Sequence, residues 1–250
     1  MKKKKILALI PARLKSTRLS QKVILPIDGM PMIIHVYKRA QLSKIIDDVL
    51  ICCDDKKIMK VANFYKAKCI ITSKKHVNGT DRISEALKKM KSKYDLIIDI
   101  QGDEPLINPD HIDKLINFHL KNLNADIVVP SLPIKNLKNK NLVKIVSNLN
   151  NDIMYLSRQQ IPYGFKSNLH NLSKHLSIVS FKQKSLTKFS SLKRSKLEII
   201  ENIELLRALD NGMRLKTFNL RGKSFSVDVK RDYLEANRYI KKDKIYRKYK

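Results

Sequence analysis

Disulfides, membrane spans and interdomain linkers have little to build on in this chain. Its three cysteines, Cys52, Cys53 and Cys69, are odd in number and two are adjacent, which argues against a disulfide framework and for a reducing cytoplasm. No apolar stretch is long enough to span a bilayer, so no membrane span is expected. The start, MKKKKILALIPAR, has the basic flank of a signal peptide, but its apolar run from Ile6 to Ile10 is too short and Arg13 and Lys15 follow at once. It reads as a first strand behind a solvated tetralysine. Internal repeats and polar, flexible runs are also missing, so the 250 residues are expected to form a single domain, 1–250, with a smaller substructure. Acid is scarce as well: Asp+Glu 23 against Lys+Arg 52 gives a net charge of +29. Such a balance favours nonspecific contact with nucleic acid. The lysines, however, lie along the whole chain and alternate with Ile, Leu and Asn, the pattern of solvated faces, so no specific nucleic-acid partner is expected.

What is present in the first half is an alternation. Ile6 to Ile10, Val49 to Cys53, Cys69 to Thr72 and Leu96 to Gln101 are short, nearly continuous apolar runs, as buried parallel strands require. Between them, Ile33, Val36, Tyr37 and Ala40, then Ile83, Ala86, Leu87 and Met90, recur at i, i+3, i+4, i+7, the spacing of one helix face. Pro31 suits the first turn of the first helix, and Gly79 and Thr80 precede the second, with Asp81 near its positive end. The series predicts an α/β fold, a mostly parallel, Rossmann-like sheet with helices on both faces. Further on, a helix is predicted after Asn108 through Leu115 and Ile116, and a strand over Asp126 to Pro130. Strands are predicted at Val143 to Ser147, Ile153 to Leu156, His175 to Phe181, Leu215 to Leu220 and Ser226 to Val229. A helix is predicted over Leu197 to Leu209, with Ile199, Ile203 and Leu206 on one face, and a charged helix from Asp232 onward. The second half is thus expected to carry a smaller β-containing insertion.

Three clusters carry chemistry. After Ile10 the chain supplies Arg13, Lys15, Ser16, Thr17, Arg18 and Lys22 within twelve residues of Pro11, a set of donors suited to phosphate at the turn after a first strand. Ile98-Asp99-Ile100-Gln101-Gly102-Asp103-Glu104-Pro105 then brings carboxylates to the same carboxyl edge of the sheet. Carboxylates facing a phosphate repel it unless a cation lies between them, and Mg²⁺, held by one or two carboxylates with phosphate oxygens and water, fits that need. By themselves, Asp103 and Glu104 equally well cap the following turn. Asp228, after another strand-like run, is a second carboxylate source and on its own reads as an exposed loop acid. The third cluster, His76, Asn78, Gly79, Thr80, Asp81 and Arg82, stands where a helix start offers free N–H groups, whether to a ligand or to an ordinary cap.

Together these clusters resemble the CMP-Kdo synthetases, the cytidylyltransferases that activate the acid sugar Kdo (3-deoxy-manno-octulosonate). The resemblance covers nearly the whole chain and is carried by IPARLKSTRL with Lys22, DGMPMIIHVYKRA, HVNGTDR and QGDEP, in that order. Weaker echoes follow in VKIV, LSRQQIPY, KHLSI, LEIIENIELLRAL and Ser226-Val227-Asp228. It implies a nucleotidyltransferase that couples CTP to Kdo and releases pyrophosphate, with Mg²⁺ as cofactor and no specific nucleic-acid partner. A homodimer is implied too, with a sugar-binding and dimerisation subregion around 140–220. Arg13 and Lys22 match the family's triphosphate contacts, with Ser16 in the same loop, and Pro11, Ala12, Asn78, Gly79, Thr80 and Gln101 fall among its nucleotide-binding positions. Asp103 and Asp228 match the two acids that hold catalytic Mg²⁺. Gln101, Arg158, His175 and Glu204 match positions near the acid sugar.

The chain departs from the family pattern at definite points. Leu19-Ser20-Gln21-Lys22 replaces Leu-Pro-Gly-Lys, which predicts a looser loop. Val179 replaces a tyrosine expected in the sugar pocket, Leu205 replaces a glutamine, and Asp228 is followed by Val-Lys-Arg-Asp instead of Thr-Pro-Glu-Asp. These leave open a related eight- or nine-carbon acid sugar as acceptor, or a CTP-binding homologue without catalysis.

Overall fold

The computed structural model describes residues 3–134, 139–166 and 172–250. Its centre is strand β1 (Ile6–Ala12), whose burial on both sides explains the unbroken apolar run. Alternate residues of β1 enter different cores. Ile6, Ala8, Ile10 and Ala12 meet helices α1 (Met32–Gln41), α2 (Lys56–Phe64) and α4 (Pro109–Lys121) on one face. Leu7 and Leu9 meet α3 (Gly79–Met90), α5 (Gln183–Ser191) and α7 (Leu205–Asp210) on the other. Each fully buried Leu or Ile on these faces contributes about 1.5–3 kcal/mol.

The remaining elements are a hairpin of β2 (Pro26–Ile27) and β3 (Met30–Pro31), then β4 (Asp48–Cys53), β5 (Cys69–Ile71), β6 (Leu96–Ile100), β7 (Ile127–Pro133), β8 (Lys144–Ser147) and β9 (Ile153–Ser157). They continue with β10 (Ser173–His175), β11 (Ile178–Lys182), α6 (Lys196–Glu201), β12 (Leu215–Asn219) and α8 (Lys230–Lys242). β5, β4, β1 and β6 run parallel in that order, so their carboxyl ends share one edge. β11 enters antiparallel between β6 and β7. β12 pairs parallel with β7, opposite β11 and β10, because Ser131 faces His175 on one side and Asn219 on the other. β8, β9 and β10 form the antiparallel extension expected of the second half. Among the described residues no helix is long and apolar enough to cross a membrane.

Helix α4 begins where expected, with the Asn108 side chain accepting from Asp110 N–H at 3.0 Å and Pro109 at its first position. Pro31 stands one place earlier than expected, as the N-cap of α1. The structure corrects three further expectations. The helix expected over Leu197 to Leu209 is two short helices, α6 and α7, broken at Asn202, whose φ of 52° is left-handed. Ile199 is consequently 58% exposed, not beside buried Ile203 and Leu206, while Glu198 turns inward to meet Arg207. His175 to Phe181 is likewise two strands: β10 pairs with β7 and β8, and the chain then bends at Leu176-Ser177 so that β11 can pair with β6. Ser226 to Val229 joins no sheet. It is an extended segment tied to the QGDEP turn by Val227 N–H donating to Asp103 O at 2.9 Å. Helices α2 and α5 were not anticipated, because lysines interrupt their short apolar faces.

The C-terminal segment is locked onto α1. Val227, Ala236, Ile240 and Tyr246 close over Ile27 and Met32. Beneath them the fully buried Arg39 donates to Tyr249 Oη at 2.9 Å, to Ile107 O at 3.2 Å and to Asp243 Oδ2 at 2.6 Å. This lock carries α8, and with it Asp228, to the carboxyl edge of the sheet.

Candidate active site

A cleft of about 220 Å³ opens at that edge. Pro11, Ala12, Arg13, Ser16 and Lys22 line it from the turn after β1, Asn78 and Gly79 from the start of α3, Gln101 and Asp103 from the end of β6, and Asp228 from the segment before α8. Two glycines make that convergence possible. A Cβ on Gly102 would come within 2.8 Å of Pro11 O and 2.9 Å of Ile33 Cδ1, so only glycine lets the exit of β6 cross the exit of β1. A Cβ on Gly79 would lie 3.1 Å from Pro11 Cγ, which keeps the start of α3 close against the turn.

The basic turn is held by an acid beneath it. Asp54 Oδ1 accepts from Leu14 N–H at 2.9 Å, and Asp54 Oδ2 lies 3.3 Å from Arg82 Nη2. At the end of the turn, Gln21 takes a left-handed φ of 51° just before the 3-10 turn Lys22–Ile24. This is the position where the family pattern has glycine, and a glutamine there costs about 1–2 kcal/mol. The same geometry delivers Lys22, whose Nζ stands 2.7 Å from Asp103 Oδ2 and 3.4 Å from Asp228 Oδ1. Arg18 Nη2 reaches Asp228 Oδ1 at 2.8 Å. Asp228 is aimed by a helix cap: Asp232 in the first turn of α8 accepts from the N–H groups of Asp228 and Val229 at 2.9 and 3.0 Å.

The two carboxylates therefore converge on one position that a cation already fills. Among the described residues no group of three or more His, Cys, Asp or Glu side chains gathers as a metal cluster. Two carboxylate oxygens completed by phosphate oxygens and water are the donor set that suits Mg²⁺. Arg13, Ser16, Thr17, Arg18 and Arg82 supply donors around it. Arg18 belongs to the basic turn and His76 and Arg82 to the third sequence cluster, but the sequence alone assigns no ligand role to them, to Val77 or to Gly102, all of which line the cleft. The signal for Arg82 is its place one helical turn after Gly79, which puts it on the same face of α3.

Thr80 turns away from the cleft, 1% exposed, and its hydroxyl donates to Glu204 Oε1 at 2.8 Å. Glu204 thus stands one residue behind the cleft wall. Asp99, also on the Leu7 and Leu9 face of the sheet, is 1% exposed and receives Gln101 Nε2 at 3.1 Å from each carboxylate oxygen. Burial, then the neighbouring Glu204, pushes the Asp99 carboxyl well above its usual range. Burial, against the pull of the Thr80 hydroxyl, lifts Glu204 to about 7. His175, in β10, is held down at about 4 by burial and then by Lys174, and is neutral at physiological pH. The bend after it meets the site directly, since Gln101 N–H donates to Ser177 O at 3.2 Å. Arg158 lies apart. Its guanidinium is spent on carbonyls, Glu201 O at 2.9 Å, Asn202 O at 3.1 Å, and Lys140 and Asn141 at 3.4 Å. Val179 and Leu205 pack in the apolar core with Leu9 and Ile83.

The raised Glu204 has a thermodynamic consequence. Between the unfolded value near 4.5 and about 7 the folded protein holds the extra proton, so this group lowers stability as pH rises through that window, and the loss is complete above it. Glu204→Gln should therefore gain stability relative to the parent at pH 8 but not at pH 4. Urea midpoints at the two pH values check this, and an equal difference at both would reject it.

Comparisons with known proteins agree on one family. Residues 7–216 match the family model described as Cytidylyltransferase. The chain is 37% identical over 244 residues to the 3-deoxy-manno-octulosonate cytidylyltransferase of Fusobacterium nucleatum, covering 96% of this chain and 99% of that one. It is 36% identical over 236 residues to the 8-amino-3,8-dideoxy-manno-octulosonate cytidylyltransferase of Shewanella putrefaciens, covering 91% and 95%. Among solved structures, a CMP:2-keto-3-deoxy-manno-octonic acid synthetase complexed with CTP superposes with a TM-score of 0.91 at 30% identity, covering 95% of this chain and 99% of that one.

Proposed function

The chain belongs to the cytidylyltransferase family, and we propose that it transfers the cytidylyl group of CTP to Kdo, forming CMP-Kdo and pyrophosphate. The observation that carries this reading is the meeting of four distant segments, Pro11 to Lys22, Asn78-Gly79, Gln101 to Asp103 and Asp228, in one cleft at the sheet edge. Their chemistry matches what the reaction needs. The anomeric hydroxyl attacks the α-phosphorus in line and gives up its proton to solvent water as the new O–P bond forms, while the bond from the α-phosphorus to the bridging oxygen breaks and its electron pair leaves on pyrophosphate. Arg13, Lys22 and Ser16 bind the triphosphate and offset the charge that gathers on the leaving group. Asp103 and Asp228 would hold Mg²⁺, which when bound polarises the phosphoryl oxygens. Gln101, with its amide nitrogen anchored on Asp99, orients the bound substrate, while Glu204, held by Thr80 behind the cleft wall, supports it from below.

The reading extends to a homodimer in the cytoplasm that supplies activated sugar for the inner core of lipopolysaccharide. Near-equal identity to a Kdo and to an 8-amino enzyme favours a second acceptor to compare, the 8-amino-3,8-dideoxy sugar. The test is pyrophosphate release from CTP and Mg²⁺ with each sugar. Release with Kdo is expected, dependent on added Mg²⁺ and at least tenfold faster with CTP than with UTP, as an order-of-magnitude discrimination of about 1.4 kcal/mol. Silence with both sugars, alongside tight CTP binding, would instead mark a homologue that binds without turning over.

A further inference from the structure

We propose that Lys22 and Arg18 are exchangeable counterions: in the free protein they fill the space at Asp103 and Asp228, and an arriving triphosphate draws them onto its own oxygens, so that a divalent cation enters only together with nucleotide. The inference rests on the reading of the cleft as a CTP and Mg²⁺ site, and goes beyond it by coupling the two ligands through named side chains.

The geometry leaves one place for two kinds of cation. Lys22 Nζ lies 2.7 Å from one carboxylate and 3.4 Å from the other, which is the position a bridging ion would take. Its side chain is only 12% exposed, so the ammonium cannot simply swing into bulk water without giving up both partners. Arg18 holds the same Asp228 oxygen at 2.8 Å from a side chain that is 56% exposed, so it is screened by solvent and free to move. Asp103 and Asp228 against Lys22 and Arg18 form a neutral set. A divalent ion alone would have to approach two fixed cations, and a nucleotide alone would have to approach two carboxylates whose own counterions it removes. Arriving together, the ligands exchange partners: the triphosphate takes the ammonium and guanidinium, and the carboxylates take the metal. Such coupling is reciprocal, so nucleotide tightens metal binding by the same factor as metal tightens nucleotide binding.

Binding of Mn²⁺ to the full-length protein, followed by the electron paramagnetic resonance of free Mn²⁺, tests this without turnover and without sugar. The parent is expected to bind Mn²⁺ weakly alone and more tightly with CTP. Lys22→Met should bind Mn²⁺ alone about tenfold or more tightly than the parent, because a divalent ion and a unit like charge about 4 Å apart repel by roughly 2 kcal/mol even in water, and tenfold needs only about 1.4 kcal/mol. Arg18→Ala, at a position 56% exposed, should shift affinity in the same direction by a smaller factor. In both variants CTP should add less to Mn²⁺ affinity than it adds in the parent. Adding Asp103→Asn to Lys22→Met should remove the tightened binding, which ties it to this site. Mn²⁺ affinity unchanged or weakened in both single variants overturns the proposal. Tightening in the variants with no effect of CTP on the parent would uphold the exclusion of metal by Lys22 and Arg18 and reject the nucleotide assignment instead.

Discussion

Asp103→Asn is expected to lower kcat for pyrophosphate release by a factor on the order of 10²–10³ or more, while leaving the fold intact. The carboxylate is 28% exposed at the cleft, and its backbone duties survive the change, because the Asp103 carbonyl, not its side chain, receives Val227 N–H. What the substitution removes is one of the two carboxylates that would hold Mg²⁺ in the proposed reading, and the partner that holds Lys22 at 2.7 Å. An amide oxygen still coordinates a hard cation but contributes no net charge, so metal affinity falls more than geometry does. The deficit should therefore shrink as the Mg²⁺ concentration is raised, a rescue that a merely structural role would not produce. Rates measured across a Mg²⁺ series, with circular dichroism as the check on folding, decide the matter. Full activity in Asp103→Asn would remove this side chain from the metal site.

The part of this site legible in the sequence is the part built from local runs. The order strand, basic turn, strand, GDEP is local, and the carboxyl edge follows from parallel pairing, so the sequence alone brings Pro11 to Lys22 and Gln101 to Asp103 to one edge. Asp228 is different in kind. Nothing near it in sequence says that it returns to the first turn; it is brought there by α8 and by Arg39, whose partners Ile107, Asp243 and Tyr249 are up to 210 residues away. The predicted strand at Ser226 to Val229 failed for the same reason, since an alternating segment becomes a strand only when a neighbour accepts its hydrogen bonds. Helix period alone also ran through Asn202, because Ile203 and Leu206 continue the spacing even though Glu198 and not Ile199 is the buried residue of α6. A buried glutamate is invisible to a hydrophobic pattern unless its partner is known.

That partner is Arg207, and Arg207→Met is expected to cost about 3–5 kcal/mol of stability, a large share of the roughly 5–15 kcal/mol that holds a domain together. The guanidinium is 3% exposed and grips Glu198 with two donors, at 2.8 and 2.7 Å, while lying 3.6 Å from Asp81 and stacking 4.6 Å over Phe189. Burial works to raise Glu198, but Arg207 and Arg194 hold it below the usual range. Its contribution is accordingly present above the unfolded value and is lost as pH falls through the folded one. Methionine fills much of the volume but leaves Glu198 buried with only the half-exposed Arg194, and leaves Asp81 and Glu204 without their common cation. Removing the stranded acid as well, in Arg207→Met with Glu198→Leu, should recover most of the loss, because an apolar pair of similar volume needs no compensation. Arg231→Ala, which breaks an ion pair whose arginine is 86% exposed, should change stability by less than about 0.5 kcal/mol. Urea unfolding of the three variants separates the effects. If the double variant were no more stable than Arg207→Met, the source of the loss would be the stacking on Phe189 or the stranded Asp81 and Glu204, and not Glu198. Recovery would mean instead that the break at Asn202 is held by charge: Glu198 and Arg207 tie α6 to α7, and through Asp81 they fix the start of α3, where Asn78 and Gly79 line the cleft.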